Sequence, residues 1–166
     1  MVLVAPAPAD GIQIPSAVRE RSVSLWRNKD EATLFREWAI TSGRPDFDYL
    51  RRGIKRQLSC SEAHYFDAWE SMVKLRVGER LGEIKTETLM VAAAADGLLA
   101  SNLRDFQRLG NATLHVFSRV GHGIPYEVPS ALSRVIRDFL EHGVVTARTK
   151  QEDLAKIRVD GVAVSR

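Results

Sequence analysis

The stretch Leu114–Pro129 reads LHVFSRVGHGIPYEVP. Leu114, Val116 and Phe117 are apolar and predict a short strand over Thr113–Phe117. Gly121-His122-Gly123 follows it, and Pro129 suits the first turn of a helix, where its missing N–H leaves no bond unmade. The stripe Leu132, Val135, Ile136, Phe139 and Leu140 predicts that helix, and Gly143 is its natural stop. A histidine between two glycines at a strand end is either a passive loop residue or a group held there to move protons.

Working outward, Thr88–Ala94 (TLMVAAA) is a continuous apolar run, as in a strand buried on both faces. Asp96-Gly97 marks a sharp turn, and Leu99–Leu109 can form a helix. Thr88–Gly143 therefore reads strand, helix, strand, helix, a right-handed parallel unit of an α/β sheet. Val2–Ala5 is a short apolar run stopped by Pro6 and Pro8, a further candidate strand, and Asp10–Ser16 reads as loop.

Between them, Ala17 to about Gly82 has helical periodicity throughout. Asp30 can cap a helix carrying Leu34, Phe35, Trp38 and Ala39 on one face, ended by Gly43 and Pro45. Phe47, Leu50, Ile54 and Leu58 form the next stripe. Ser59 and Glu62 have capping-box spacing before Phe66, Trp69, Val73 and Met72. After Gly143 the tail is polar, and Asp160-Gly161 between alternating apolar residues is a hairpin signal.

Composition excludes several classes. The 166 residues suit one domain of ordinary size, and a net charge of +3 with scattered basic residues is no nucleic-acid footprint. The densest basic patch, RRGIKR (Arg51–Arg56), reads as a solvated helix face. Cys60 is the only cysteine, which fits a reducing compartment. The opening MVLVAPAPADG lacks the basic start and apolar length of a signal peptide, and no run approaches the roughly 18 apolar residues of a membrane span. The expectation is a cytoplasmic protein that meets a small molecule, with no nucleic acid and no membrane.

Ligand sites of open parallel sheets form outside the carboxyl ends of the strands. Asp96 follows one predicted strand and His122 the next. If those strands are neighbours, about 4.8 Å apart, the carboxylate and the imidazole can touch. The carboxylate would then fix the ring's tautomer, and the other ring nitrogen would serve as general base. The flanking glycines would let the loop turn tightly. Ordinary turn chemistry at Asp96 and a functionless loop histidine is the competing reading.

The segment from Ile84 to Leu140, with its apolar strand ending in AAAAD and its VGHGIPYEVP before an amphipathic helix, resembles the C-terminal part of α/β-hydrolase fold enzymes. In that family the matching Asp and His are the acid and the base of a catalytic triad whose chain order is nucleophile, acid, histidine. The resemblance makes Asp96 the acid and His122 the base. LVAPAPADG is similar to the strand preceding the family's inserted cap, and the helical block looks like that cap. The implied organisation is a first strand and loop over residues 1–16, a helical cap over 17–85, a C-terminal α/β core over 86–143 and a polar tail over 144–166. The fold class is thus a partial α/β-hydrolase fold with about three parallel strands, covering helices and an inserted cap. One departure is Ala93, where many members have glycine.

The family's nucleophile elbow, G-x-S-x-G or its Cys and Asp variants, does not occur here. The sequence begins at about the family's sixth strand. Ser118 lacks the strained strand-to-helix turn of a nucleophile. Cys60 and His64, four apart on an expected helix, make a two-ligand metal face without further ligands. Asp10 is an alternative acid or a loop residue, and Glu127 supports the loop or the helix start. The resemblance implies hydrolysis of an ester, acyl or carbon–carbon bond of a small, largely apolar substrate, with no cofactor and no metal. The alternative is a truncated, non-catalytic binding module. Three short strands would also leave an exposed sheet edge, open to a second copy or to a missing N-terminal portion.

Overall fold

The structure, a computed structural model, describes residues 1–41 and 46–156. The expected helix stop at Gly43 and Pro45 and the hairpin at Asp160-Gly161 lie outside the described residues. Three strands, β1 (Val2–Val4), β2 (Thr88–Ala93) and β3 (Ala112–Phe117), form one parallel sheet in the order β1-β2-β3. Val2 to Val4 stand opposite Leu89 to Val91, and Thr88 to Ala93 stand opposite Ala112 to Phe117. β2 is central, and all six of its residues are buried, as its unbroken apolar run requires.

Alternation along β2 sends its side chains to two cores. Leu89, Val91 and Ala93 pack with Ala5, Val120, Ile124, Leu132 and Phe139. This core lies under α7 (Pro129–His142), which stops at Gly143 with φ 67°. On the opposite face Met90 packs with Leu109 and Ala112, flanked by Phe106 of α5 (Leu99–Arg108) and by Leu81 and Ile84 around a 3₁₀ turn, Gly78–Glu83.

Between β1 and β2 the chain builds four helices: α1 (Ser16–Arg27), α2 (Glu31–Thr41), α3 (Phe47–Ser59) and α4 (Glu62–Lys74). Their core is separate, made of Leu25, Trp26, Leu34, Ile54, Leu58 and Tyr65. Asp30 caps α2 by accepting from Thr33 N at 3.0 Å, as its position predicted. The basic patch on α3 is a solvated face: Arg51, Arg52, Lys55 and Arg56 are exposed.

Several expectations are corrected. The cap of α4 is Ser61, accepting from His64 N at 3.2 Å, while Ser59 is the last residue of α3. Cys60 lies between the two helices, so it shares no helix face with His64. Phe47 and Leu140, expected on apolar stripes, are 52% and 74% exposed. Phe47 sits at the first turn of its helix, ahead of the contacts that bury Leu50, Ile54 and Leu58. Leu140 sits one step round α7 from the buried line of Leu132 and Phe139. Tyr65, not expected inside, is the buried residue of α4. The tail carries α8 (Ala147–Lys156), and Gly123 opens a single-turn helix, α6 (Ile124–Glu127). No helix among the described residues is long and apolar enough to cross a membrane.

Candidate active site

The two predicted site residues meet. Asp96 lies just past β2 and His122 just past β3, and Asp96 Oδ2 is 2.9 Å from His122 Nδ1. The backbone beyond the strands holds them there. Ala94 N donates to Phe117 O and Ala95 N to Val120 O, both at 2.9 Å, so the two chains stay laced together past the sheet. Asp96 is then fixed by a tight turn. Its Oδ1 accepts from Leu98 N at 3.0 Å, an Asx turn, and Leu99 N donates to its carbonyl.

The histidine is held from below and behind. Val120 and Ile124, on either side of it, are buried at 2% and 0% exposure. Glu127 receives Gly121 N on both carboxylate oxygens, at 3.2 and 3.1 Å. This gives Glu127 a loop-bracing place. The flanking glycines do not make the turn, contrary to expectation. Neither has a positive φ, and a Cβ on Gly123 would meet only ordinary contacts, the nearest 3.5 Å from Glu127. The left-handed residue is Arg119, at φ 59°. A non-glycine residue there costs on the order of 1 kcal/mol or more, and it swings the chain from β3 so that Val120 re-enters the core.

Burial divides the pair. The Asp96 side chain is 5% exposed and that of His122 62%. A carboxylate beside Nδ1 selects the tautomer whose proton sits on Nδ1, leaving the Nε2 lone pair outward. Among the described residues the ring's hydrogen bond is the one to Asp96. The arrangement can therefore accept a proton at Nε2 and stabilise the resulting imidazolium.

The other candidates sit elsewhere. Asp10 forms an ion pair with Arg108, and neighbouring Asp105 accepts from Ala9 N at 2.8 Å, which ties the loop after β1 to α5. The Asp10 carboxylate raises the Arg108 guanidinium further above its usual range. Ser118 is exposed at the end of β3. Cys60 Sγ donates to Gln57 O at 2.8 Å, and no group of three or more potential metal ligands exists among the described residues.

Two aromatic residues escaped the sequence reading. Tyr126 in α6 stacks on Tyr49 in α3, ring centroids 3.6 Å apart at 21°. Tyr126 stands inside the quoted stretch, four residues after His122, but nothing local signals its partner 77 residues away. Burial pushes the Tyr49 hydroxyl well above its ordinary pKa, with a hydrogen bond to Tyr126 as a second cause. Tyr49 also lines an open groove of about 360 Å³ with Trp38, Tyr65, Trp69, Met72 and Arg56.

No family model matches the chain. Curated relatives do. A 2-hydroxy-6-oxo-6-phenylhexa-2,4-dienoate hydrolase from Comamonas testosteroni is 30% identical over 146 residues, covering 82% of this chain and 48% of that protein. A 2-hydroxy-6-oxononadienedioate/2-hydroxy-6-oxononatrienedioate hydrolase from Pseudomonas putida is 39% identical over 67 residues, 39% of this chain and 24% of that one. Among solved structures, a meta-cleavage product hydrolase from Pseudomonas fluorescens IP01 superposes with a TM-score of 0.60 at 18% identity, over 85% of this chain and 55% of that one. A bromoperoxidase from Bacillus anthracis gives 0.69 at 14% identity, over 84% and 57%.

Together they support an α/β-hydrolase assignment, with this chain matching the C-terminal portion of such proteins. Its three parallel strands and surrounding helices are a partial α/β-hydrolase fold, as the sequence resemblance implied. It spans about half the length of the longer-matching curated relatives.

Proposed function

We propose that Asp96 and His122 are the acid and the general base of a hydrolytic triad. The observation that carries this is the 2.9 Å contact between a buried carboxylate and an exposed imidazole at the ends of adjacent parallel strands. His122 Nε2 takes the proton of a nucleophile, which attacks the substrate carbon. The imidazolium gives that proton to the departing carbon as the carbon–carbon bond breaks, and the freed Nε2 then deprotonates water, which releases the covalent intermediate. Asp96 holds the tautomer and stabilises the imidazolium in both steps. The nucleophile is supplied from outside the residues described above. The open side of β1 is where we place the strand that brings it, whether from the same polypeptide or a second copy. Met1 O and Ala5 N bond to β2, so alternation turns the N–H and C=O of Val2 and Val4 to that open side.

The relatives' names narrow the substrate. A 2-hydroxy-6-oxo-6-phenylhexa-2,4-dienoate contains no ester or amide. A hydrolase acting on it must break a carbon–carbon bond next to the 6-oxo group. We extend that class to this chain: water added across a carbon–carbon bond of a small, largely apolar ketone. The helical block over β1's crossover then acts as a cap, and its aromatic groove fits the apolar part of such a molecule. The reading needs no cofactor or metal, and the lone cysteine suits the cytoplasm.

The test is turnover of that phenyl dienoate, followed by loss of its absorbance, and of p-nitrophenyl esters. His122→Ala and Asp96→Asn are expected to lower turnover by about 10²–10⁴-fold. Among the described residues no hydrogen bond reaches Nε2, which favours one second reading, a binding module that keeps the pair without using it. With the nucleophile-bearing portion present, no turnover, or turnover indifferent to both substitutions, selects that reading.

A further inference from the structure

We propose that Tyr126, seated on Tyr49, is a positioning residue that ties the loop of His122 to the helical block. This rests on the reading of His122 as the base. The loop of His122 runs directly into α6. Its exposed part is one helical turn, with Tyr126 N and Glu127 N both bonded to Gly123 O, at 2.8 and 3.0 Å. Ile124 anchors it in the sheet core and Glu127 braces Gly121 from within the loop itself. Asp96 restrains the imidazole through one hydrogen bond, and the ring is otherwise largely in solvent. The tyrosine stack supplies a hold from a different body of the molecule.

Tyr49 is well placed to transmit. It stands in the first turn of α3, where Asp46 accepts its backbone N–H at 3.0 Å. Its ring faces Tyr126 on one side and lines the groove shared with Trp38 and Trp69. A molecule seated in that groove touches the ring that holds the His122 loop. Tyr49 is partly buried, and its hydroxyl is pushed above its ordinary pKa first by that burial and then by a hydrogen bond to Tyr126. Further ties between block and sheet include the loop pairs Ile12 N to Met72 O and Val77 N to Ala9 O, and Arg76 Nη1 to Asp10 O. The stack therefore reports the position of the block to the base, and an occupied groove would steady both.

The experiment is NMR of the histidine rings in the intact chain, which requires no turnover. The wild-type protein should show a downfield Nδ1–H proton from His122, lost in Asp96→Asn. Tyr126→Ala should broaden that signal and speed its exchange with water by about tenfold or more, while Tyr126→Phe keeps it. Tyr49→Ala should repeat the effect from the other side. Tyr126 is half exposed, so its removal leaves the cores intact, and an unchanged far-UV spectrum checks this. If Tyr126→Ala leaves the signal unchanged while Asp96→Asn removes it, the positioning role is wrong and the acid–base pair stands. If Tyr126→Phe loses the signal as Tyr126→Ala does, the stacked ring is not the hold. If wild type and Asp96→Asn are alike, the pairing itself fails and the positioning role falls with it.

Discussion

Every residue of β2 is buried, whereas α1 buries only Leu25 and Trp26 of its 12 residues. The contrast runs through the whole molecule. The sheet half is set by backbone: parallel ladders, two further strand-end hydrogen bonds at 2.9 Å, and tight turns. The helical block is set by aromatic side chains. Trp26 stacks on Tyr65 at 5.4 Å and meets Phe66 edge-on at 6.0 Å, and Tyr65 meets Trp69 edge-on at 6.5 Å. Chemistry that needs two atoms 2.9 Å apart belongs on the first kind of frame, where covalent geometry and hydrogen bonds leave little slack. A surface that must adapt to a ligand belongs on the second, where rings can slide over each other at small cost.

The sharpest way to break this division is to damage each core separately. Ile54 is 2% exposed in the block and Ile124 is fully buried beneath the sheet. Either isoleucine-to-alanine change should cost about 2–5 kcal/mol. All three tryptophans, Trp26, Trp38 and Trp69, lie in the block, so fluorescence reports it alone. Ile54→Ala should lower the fluorescence transition more than the far-UV transition, and Ile124→Ala should do the reverse. Coincident shifts in both variants would show one cooperative unit and dissolve the distinction.

Two glycines sharpen it further. Gly143 ends α7 at φ 67°, and a Cβ there would stand 2.9 Å from Glu87 Oε1. That carboxylate accepts from Val144 N, so it is not free to leave. Gly143→Ala should cost about 1–3 kcal/mol. Gly53 lies inside α3, and its Cβ would meet the Trp38 ring at 2.8 Å. Here alanine gains up to about 1 kcal/mol of helix propensity while a half-exposed ring shifts to make room. Gly53→Ala should change stability by less than about 1 kcal/mol in either direction. Thermal melts of the two variants compare strain in the backbone with strain in an adaptable side chain. Equal losses would mean the block is as rigid as the sheet.

The same division decides what was legible. The buried strand, Asp96 and His122 could be read because a parallel strand announces itself by an unbroken apolar run, and its next turn must carry any site. Those are local signals. The Tyr49–Tyr126 stack joins residues 77 apart, and no period or motif links them. Ser61, not Ser59, caps α4 because the α3 helix runs on through Ser59, a boundary that two serines two residues apart leave open. The tight turn is expected at the glycines flanking His122, but the left-handed residue is Arg119. A tertiary demand, returning Val120 to the core, overrode the residue preference there.

His115 offers the smallest effect and the finest comparison, since it puts a titratable ring inside the backbone-built half. It sits on β3 opposite Val91, with its ring edge-on to Phe117 at 4.4 Å. Partial burial disfavours the imidazolium and holds the folded pKa below the ordinary 6.5. In the unfolded chain the ring titrates near 6.5. Between the two values the unfolded state binds more protons, so stability falls as pH drops. The contribution is complete above about 6.5 and is lost progressively as pH falls through the lower folded value. Denaturant midpoints between pH 7.5 and about 5 should therefore decline more steeply in the wild type than in His115→Phe, whose ring cannot charge. Parallel declines would mean that β3 gives way around the charge. The sheet would then share the tolerance assigned to the helical block.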